Sequence, residues 1–421
     1  MLNHLSRIGL CLIVAGLLVT VSSGQESEST WPQWRGPDRD GVADSSAWPD
    51  TLDDSKIERQ WRVELGPSYS GPLVIGDRVY TTETKDKKFE IVSAFDRATG
   101  EKVWETSWEG SMKVPFFANR NGSWIRSTPT YSDGRLYVAG IRDYFVCLDA
   151  ENGDELWKVD FVNDLKGALP DFGCVCSPLV DGEFVFIQAG GAFYKLNKDS
   201  GEVIWKTAGD GGGMYGSAFS SPLIAELAGK RQMLVQTRQE LKGIDIESGK
   251  QLWAKQIPSF RGMNILTPTV KDNMVFTSAY QNKSHMFEIS ENGGAFTATE
   301  KWNHNKPAYM STPIVMGDHI FMHHQRGRFV CLNAQSGDEK WISKPEGEYA
   351  SLVAGEDRFL ALRSDGELMM IKANPNEFEE LGSVKLTDQE SWAHLAVCEN
   401  DLVVREQNAL SLFKWQDANE E

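Results

Sequence analysis

Arginine and histidine side chains occur at equivalent places in successive copies of a pattern that repeats along this chain. Each follows an apolar run, at the point where a second strand is predicted to turn into a third. The set comprises Arg142, Arg238, Arg326, Arg363 and Arg405, with His323 and His324 beside Arg326. Guanidinium groups bind carboxylates through charge-assisted, often paired hydrogen bonds. If the loops that carry these residues meet at one end of the fold, they predict a basic funnel for an anionic small ligand or a carboxylate-rich partner.

The same residues also allow a simpler interpretation, in which each side chain points separately into water. Four of the arginines have acidic neighbours that could neutralise them, namely Asp143, Glu240, Asp365 and Glu406. Nearby opposite charges of this kind would leave a polar channel with no ligand. The sequence contains no nucleophile elbow and no zinc-like spacing of His and Cys. It therefore assigns neither a catalytic residue nor a metal site.

The cysteines do not form a disulfide pattern. Beyond residue 24 the chain has Cys147, Cys174, Cys176, Cys331 and Cys398, an odd number at irregular spacing. Cys147 and Cys331 fall at the same place in two repeats and are interpreted as small buried apolar residues. Cys174 and Cys176 are expected to lie on one face of a strand, because alternate strand residues share a face. They are either a buried pair or a redox or metal site.

A repeated hairpin positions these residues. It reads "AFDRATGEKVW" at residues 94–104 and combines a short apolar strand, a tight Asp-x-x-Thr-Gly turn and a second strand that carries a Trp. Asp bonds to the backbone ahead of it and Gly accepts a positive φ, so the turn is well specified. The Trp is expected to dock between neighbouring sheets. The docking residues are Trp61, Trp104, Trp157, Trp205, Trp253, Trp302 and Trp341.

A second hairpin lies between successive Trp hairpins, for example "STPTYSDGRLYVA" at 127–139, and it occurs eight times. Two hairpins per repeat predict a four-stranded antiparallel sheet. A period of about 40–50 residues then predicts an all-β, eight-bladed β-propeller. The last repeat ends after three strands, at "NALSLFKW", whereas "ERQWRVE" at 58–64 is an outer strand that precedes any inner one. We expect these two ends to complete one blade, which leaves only short sheet edges exposed.

The hairpin motif A-x-D-x-x-T-G-x-x-x-W resembles the pyrroloquinoline-quinone (PQQ)-type propeller repeat. Residues 94–104 match it fully, and the copies at 148–157, 196–205, 244–253 and 332–341 match closely. The copy at 289–302 is expanded and the copy at 371–381 is degraded. The resemblance covers about residues 58–416 and implies the propeller fold. It includes two kinds of protein: quinone-dependent dehydrogenases, which hold PQQ and Ca²⁺ on the propeller axis, and cofactor-free propellers similar to the outer-membrane assembly lipoproteins, which bind proteins.

Several features favour a binding module over a quinone enzyme. The resemblance implies a vicinal Cys-Cys pair in the enzymes, whereas this chain has only Cys174-Val-Cys176. The motif positions assign no converging set of oxygen ligands for Ca²⁺. Most connectors are short, and the longest are 106–126, 158–176 and 206–219. We therefore expect a protein-binding or scaffolding propeller with no assigned cofactor. A PQQ- and Ca²⁺-dependent alcohol or sugar dehydrogenase is the alternative, and the predicted basic funnel is its main support.

The ends and the charge complete the prediction. Residues 1–24 have a basic residue, a short apolar run and small residues near Gln25, which predicts a cleaved signal peptide, with an uncleaved anchor as the alternative. Residues 25–57 form a lead-in expected to pack on the propeller, 58–416 the propeller and 417–421 a tail. The net charge of -17 argues against binding to nucleic acid or anionic lipid. We expect a monomeric ring without a membrane span after signal removal, exported to the periplasm or beyond.

Overall fold

The computed structural model describes residues 30–116, 122–216 and 219–416. The predicted signal peptide at 1–24 and the tail at 417–421 lie outside the described residues. Between residues 30 and 416, the described chain forms eight four-stranded antiparallel sheets, which confirms the predicted all-β, eight-bladed propeller. The described part of the chain contains no helix long and apolar enough to cross a membrane.

The first strand of each blade lies nearest the axis, and first strands contact one another between blades 1 and 8, 2 and 3, 5 and 6, and 6 and 7. The first four blades are β2 (Leu73–Ile75), β3 (Arg78–Lys85), β4 (Phe89–Asp96) and β5 (Lys102–Glu109); β6 (Thr130–Ser132), β7 (Arg135–Ala139), β8 (Tyr144–Asp149) and β9 (Glu155–Asp160); β10 (Leu179–Asp181), β11 (Phe184–Ala189), β12 (Ala192–Asn197) and β13 (Val203–Thr207); and β14 (Leu223–Leu227), β15 (Lys230–Gln236), β16 (Glu240–Asp245) and β17 (Gln251–Gln256).

The last four blades follow the same order from the axis outward. They are β18 (Thr269–Lys271), β19 (Met274–Ser278), β20 (Ser284–Asn292) and β21 (Ala295–His304); β22 (Ile314–Met316), β23 (His319–His324), β24 (Arg328–Asn333) and β25 (Glu339–Ile342); β26 (Ala350–Ala354), β27 (Arg358–Arg363), β28 (Glu367–Lys372) and β29 (Glu380–Lys385); and β30 (Ala396–Cys398), β31 (Asp401–Glu406), β32 (Ala409–Trp415) and β1 (Ile57–Glu64). A 3-10 turn at Phe260–Gly262 connects blades 4 and 5.

The ring closes where the two ends of the propeller meet. Strand β1 pairs antiparallel with β32, from Ile57 opposite Trp415 to Glu64 opposite Ala409. Glu406 also accepts a hydrogen bond from Arg62 at 3.0 Å across this blade. The pairing confirms that an N-terminal outer strand completes the last blade.

The repeated Gly and Trp form the joint between blades. Six of the seven predicted docking tryptophans donate their indole N–H to a backbone carbonyl in the turn of the next blade, at 2.7–3.1 Å; they are Trp61, Trp104, Trp157, Trp205, Trp302 and Trp341. The ring lies against the turn glycine: a Cβ added to Gly201 would lie 2.7 Å from the Trp157 ring. Glycine is therefore required both for its φ of +73° and for this close approach.

Trp253 is the exception among the docking residues. Its indole N–H bonds to Gln232 Oε1 within its own blade, at 2.8 Å. The next turn belongs to the expanded repeat, where neither Gly293 nor Gly294 has an atom within 4 Å of an added Cβ. The longer β20–β21 hairpin moves this turn away from the indole, so the indole N–H takes a partner from the same sheet.

The lead-in crosses the axis and joins the inner strands. Trp31 exchanges backbone hydrogen bonds with Val74 in blade 1, and Ala43 donates to Ala354 in blade 7 at 2.9 Å. Leu52 then donates to Leu381 on the outer strand of blade 7. Trp31, Trp48 and Leu52 belong to one buried cluster that also includes residues of blades 1, 7 and 8. The segment is thus part of the core at the place where the ring closes.

We predict that Trp157→Ala destabilises the protein by about 3–5 kcal/mol, since a buried indole leaves a large cavity. The matched control is Leu156→Ala, because Leu156 is the adjacent residue and is 46% exposed, whereas Trp157 is 8% exposed. The control is expected to change stability by less than about 0.5 kcal/mol. Urea unfolding followed by circular dichroism measures both. Equal losses in the two variants would contradict the docking role.

Candidate functional site: an axial pocket and the surrounding loops

A pocket of about 160 Å³ lies on the ring axis. Its walls come from the eight segments that lead into the inner strands, and each blade contributes the side chain three residues before the Pro or Leu of that segment. In blade order these residues are Tyr69, Arg126, Val175, Phe219, Ile265, Met310, Tyr349 and Trp392. Arg126 is the one charged side chain in this set of eight. The repeat thus builds a ring of mainly apolar and aromatic side chains with a single cation.

A chain of hydrogen bonds holds these segments in place. From blade 1 to blade 6, a backbone N–H of one segment donates to a Ser or Thr hydroxyl of the next, at 2.8–3.2 Å. The bonds run from Gly71 to Thr128, Thr128 to Ser177, Ser177 to Ser221, Ser221 to Thr267 and Thr267 to Thr312. These bonds explain the Ser or Thr that precedes Pro in most repeats, and they fix the pocket wall.

The lead-in supplies the floor of the pocket. Trp34 lines it, with the guanidinium carbons of Arg35 and Arg39 at 5.6 and 6.0 Å from the indole centroid. Arg35 Nη2 donates to the carbonyl of Pro313 at 2.8 Å, and Arg39 Nη1 donates to that of Pro178 at 2.7 Å. Burial lowers the pKa of both arginines to about 10, so each remains charged at neutral pH.

Arg126 lies in the wall with little compensation for its charge. Its Nη2 donates to the carbonyl of Gly122 at 2.6 Å, and its guanidinium lies 5.5 Å from the centroid of the Tyr69 ring. Its Nε is buried and has no hydrogen-bond partner among the described residues. Burial lowers the pKa of Arg126; the Tyr69 hydroxyl opposes that effect, and no carboxylate among the described residues does so. A half-buried cation of this kind, with a buried Nε, is costly unless an anion or a strong acceptor meets it.

The pocket does not match the donor set for a Ca²⁺–quinone pair. Its lining residues include no Asp or Glu, whereas Ca²⁺ takes six to eight oxygen ligands, usually with several carboxylates. Within residues 30–116, 122–216 and 219–416, no cluster of three or more His, Cys, Asp or Glu side chains could hold a metal. We therefore derive no reaction step through a quinone.

Cys174 and Cys176 are directed away from the pocket, while Val175 between them lines it. Both cysteines are buried in one cluster between blades 2 and 3. Burial raises the pKa of the Cys176 thiol to about 12 and that of Cys174 well above its usual range. Because the thiolate is the reactive form, this environment suits inert thiols.

Two of the predicted funnel arginines are buried and bind backbone carbonyls. Arg238 donates to the carbonyls of Arg261 and Gly262, and its guanidinium lies 4.5 Å from the Phe219 ring centroid. Arg405 Nη2 donates to the carbonyls of Gly66 at 2.6 Å and Thr82 at 3.1 Å, which ties blade 8 to blade 1. Both guanidinium groups bind backbone carbonyls of the protein itself, although the Nε of Arg405 has no acceptor among the described residues.

A third funnel residue is held by acids. Arg363 Nη2 pairs with Asp365 at 2.5 Å and Nη1 with Glu367 at 2.9 Å, and Glu346 lies 3.7 Å away. Of the acidic neighbours considered from the sequence, Asp365 thus neutralises its arginine, while Glu406 pairs with Arg62 instead.

The remaining funnel residues divide into exposed arginines and buried histidines. Arg142 and Arg326 are exposed, and their side chains form no ion pair within the described parts of the chain. His323 and His324 are buried, and burial lowers the pKa of each to about 4. The histidines are therefore neutral at pH 7. The anion-binding role stays a prediction, carried on this face by Arg142 and Arg326.

The sequence analysis did not single out Arg126. It lies at the end of the 106–126 connector, immediately before the phrase "STP" that was used to count blades. Aligning the eight phrases one residue further upstream places Arg126 in register with seven uncharged residues. The single charge among eight equivalent positions is the sequence signal that could have identified Arg126.

An exposed aromatic patch lies on the loops of blades 4 to 6. Phe260 is 46% exposed and packs edge-on against Tyr280, whose ring contacts that of Tyr309 at a tilt of 31° with centroids 4.2 Å apart. Arg261 lies beside it, with its guanidinium 5.0 Å from the Phe260 centroid. We call Phe260, Arg261, Tyr280 and Tyr309 the aromatic patch.

The loop that carries the patch is anchored from below. Arg238 binds two of its carbonyls, Asn264 Nδ2 donates to the carbonyl of Ile257 at 2.8 Å, and Phe260 N–H donates to the carbonyl of Tyr280 at 3.1 Å. Arg261 adopts a left-handed φ of 53°, an unusual conformation for a side chain of this kind. The fold thus holds a large apolar side chain in solvent on a well-ordered support.

Comparison with known proteins places the chain among propellers of this repeat type. A family model described as outer membrane protein assembly factor BamB matches residues 87–343. Polyvinylalcohol dehydrogenase of Sphingopyxis sp. (strain 113P3) is 27% identical over 193 residues, which cover 42% of this chain and 28% of that protein. BamB of Nitrosomonas eutropha is 24% identical over 269 residues, which cover 62% and 58% respectively. The chain spans less than two thirds of the length of these curated relatives.

Solved structures share the architecture. BamB from Moraxella catarrhalis superimposes with a TM-score of 0.62 at 15% identity, over 87% of this chain and 99% of that chain. A europium-containing methanol dehydrogenase superimposes with a TM-score of 0.54 at 12% identity, over 92% and 98%. At these identities the likeness shows the fold alone.

Because Arg405 joins the blades that close the ring, we predict that Arg405→Met lowers stability by roughly 3 kcal/mol. It removes several hydrogen bonds from a charged donor and leaves buried carbonyls without a partner. Arg142→Met is the control, since Arg142 occupies the equivalent loop of blade 2 and is exposed. Thermal and urea denaturation measure both variants. A stable Arg405→Met protein would show that the guanidinium does not support ring closure.

Proposed function

The chain belongs to the family described as outer membrane protein assembly factor BamB, and from that premise we propose an extracytoplasmic propeller that binds or scaffolds a partner protein. The relatives of that name support an exported location, and the predicted signal peptide at residues 1–24 agrees with it. We further propose a monomeric ring, since every blade already has a neighbour on both sides.

The observation that carries this proposal is the aromatic patch. Aromatic residues and Arg are enriched in protein interfaces, where a few anchors provide most of the binding energy. Phe260 supplies an apolar anchor and Arg261 an adjacent cation on a supported loop. Arg326, in the loop of the neighbouring blade 6, adds a second exposed cation. The chemistry suits a partner segment with apolar residues flanked by acids.

The dehydrogenase alternative has weaker support. Polyvinylalcohol dehydrogenase and methanol dehydrogenase are among the similar proteins, so the fold is compatible with such an enzyme. Among the described residues, however, no carboxylate lines the pocket to hold Ca²⁺ or to act as a base beside it. The protein-binding role therefore accounts for more of the observed surface.

Site-specific photo-crosslinking tests the proposal. We expect a photoreactive phenylalanine at position 260, expressed in the native host, to give a discrete crosslinked product in the exported fraction. The matched control is position 156 on the outer rim, because Leu156 and Phe260 are both 46% exposed. Arg261→Glu is expected to lower the crosslink yield by reversing the local charge.

Two results would contradict the proposal. Equal crosslinking from positions 260 and 156 would indicate random collisions, and a protein retained in the cytoplasm would rule out the exported role.

A further inference from the structure

We propose that the axial pocket binds a small aromatic monocarboxylate, with Arg126 as the group that recognises the anion. This site is separate from the aromatic patch and does not depend on the protein-binding role. The inference rests on three features of the pocket: its uncompensated positive charge, its aromatic walls and its volume.

The charge around the pocket is positive, and Arg126 has no carboxylate partner among the described residues. Arg126 lines the wall, and its buried Nε has no acceptor in the described structure. Beneath the floor, Arg35 and Arg39 are almost fully buried and each also has a buried Nε without a partner in the described chain. Asp40 lies near Arg35, and burial raises the pKa of that carboxyl group. An anion in the pocket would contact the guanidinium of Arg126 directly. The positive charges of Arg35 and Arg39 nearby would attract it further.

The walls suit a flat ring. Tyr349 and Trp392 stack with centroids 5.3 Å apart at 22°, and Tyr69 meets Trp392 edge-on at 6.3 Å. Ile265 and Met310 provide apolar lining. Aromatic rings prefer offset-stacked or edge-on contacts of this type. His394 also lines the pocket, and burial lowers its pKa to about 4, so it is neutral at pH 7 and adds no competing charge.

The volume of the pocket suits a ligand with one ring. The cavity measures about 160 Å³, and a cavity of about 150 Å³ lined by apolar residues accepts benzene. A benzene-sized ring with a short carboxylate arm fits this volume and carries one negative charge for one wall cation. A tricarboxylate quinone carries more charge than Arg126 alone would meet, and the pocket lining has no carboxylate for its Ca²⁺.

Titration with phenylacetate, followed by tryptophan fluorescence and calorimetry on the purified full chain, tests this proposal. Phenylacetate is expected to bind at least about 10-fold more tightly than 2-phenylethanol, which has the same ring and no charge. Arg126→Gln should reduce phenylacetate affinity by at least about 10-fold and remove the preference over the alcohol. Arg126→Lys should restore part of it. Lys158→Gln, which removes an exposed cation from the outer strand of the same blade, should leave the affinity unchanged.

Other outcomes would overturn the proposal. The first is that the folded wild-type protein shows no saturable binding of phenylacetate. The second is that 2-phenylethanol binds as tightly as phenylacetate. The third is that an Arg126→Gln variant melts like the wild type and binds phenylacetate with the same affinity. Trp392→Leu provides a second variant that keeps the cation, and it should weaken both phenylacetate and phenylethanol. Binding of PQQ only with Ca²⁺, detected by visible absorbance and not displaced by phenylacetate, would also refute the monocarboxylate site. None of these results changes the crosslinking expected at position 260, so the pocket proposal and the protein-binding proposal can fail separately.

Discussion

Closure of the ring by β1 against β32 is the constraint on which the other features depend. A four-stranded blade exposes its edges unless it docks on both neighbours, and the last blade has only three strands from its own repeat. The strand that completes it is covalently continuous with the lead-in. The same segment that closes the ring therefore also crosses the axis, where Trp34 forms the pocket floor. Closure of the ring and placement of the floor therefore depend on the same segment of chain.

Arginine has a structural role at several places in this acidic chain. Loops and turns have carbonyls that no sheet partner satisfies, and buried carbonyls need a donor. A guanidinium offers five donors in a fixed plane, so one Arg can serve carbonyls from two blades. Arg405 does so between blades 8 and 1, whereas Arg39 binds two adjacent carbonyls of the blade 3 segment. Arg126 differs in making one hydrogen bond of this kind within the described residues, to the carbonyl of Gly122, although a buried Nε lacks an acceptor in all three arginines.

The sequence predicted the fold well because the repeat encodes its own joints. A turn Gly and a Trp four residues later specify a hairpin and a docking contact, and Trp157 on Gly201 shows that pairing. The same reasoning was weaker for the site. Equivalent loop positions place the arginine backbones on one face, but the direction of each side chain depends on which carbonyls or acids lie within reach. Arg238 and Arg363 illustrate this, since one turns to backbone carbonyls and the other to carboxylates. The pocket floor depends on a lead-in that crosses the ring, and no local pattern reports that path.

The axial pocket and the aromatic patch share one physical support. Phe219 lines the pocket, and the guanidinium of Arg238 packs against its ring at 4.5 Å. The same guanidinium binds the carbonyls of Arg261 and Gly262, which hold Phe260 in solvent. A contiguous set of contacts does not by itself establish communication, which requires an element with two states. It does mean that the wall of the pocket and the loop of the patch are positioned by one buried cation. This arrangement explains why Arg238 is buried. Its guanidinium packs on an aromatic ring and donates hydrogen bonds to backbone carbonyls. A shorter or uncharged side chain would leave those carbonyls without a donor.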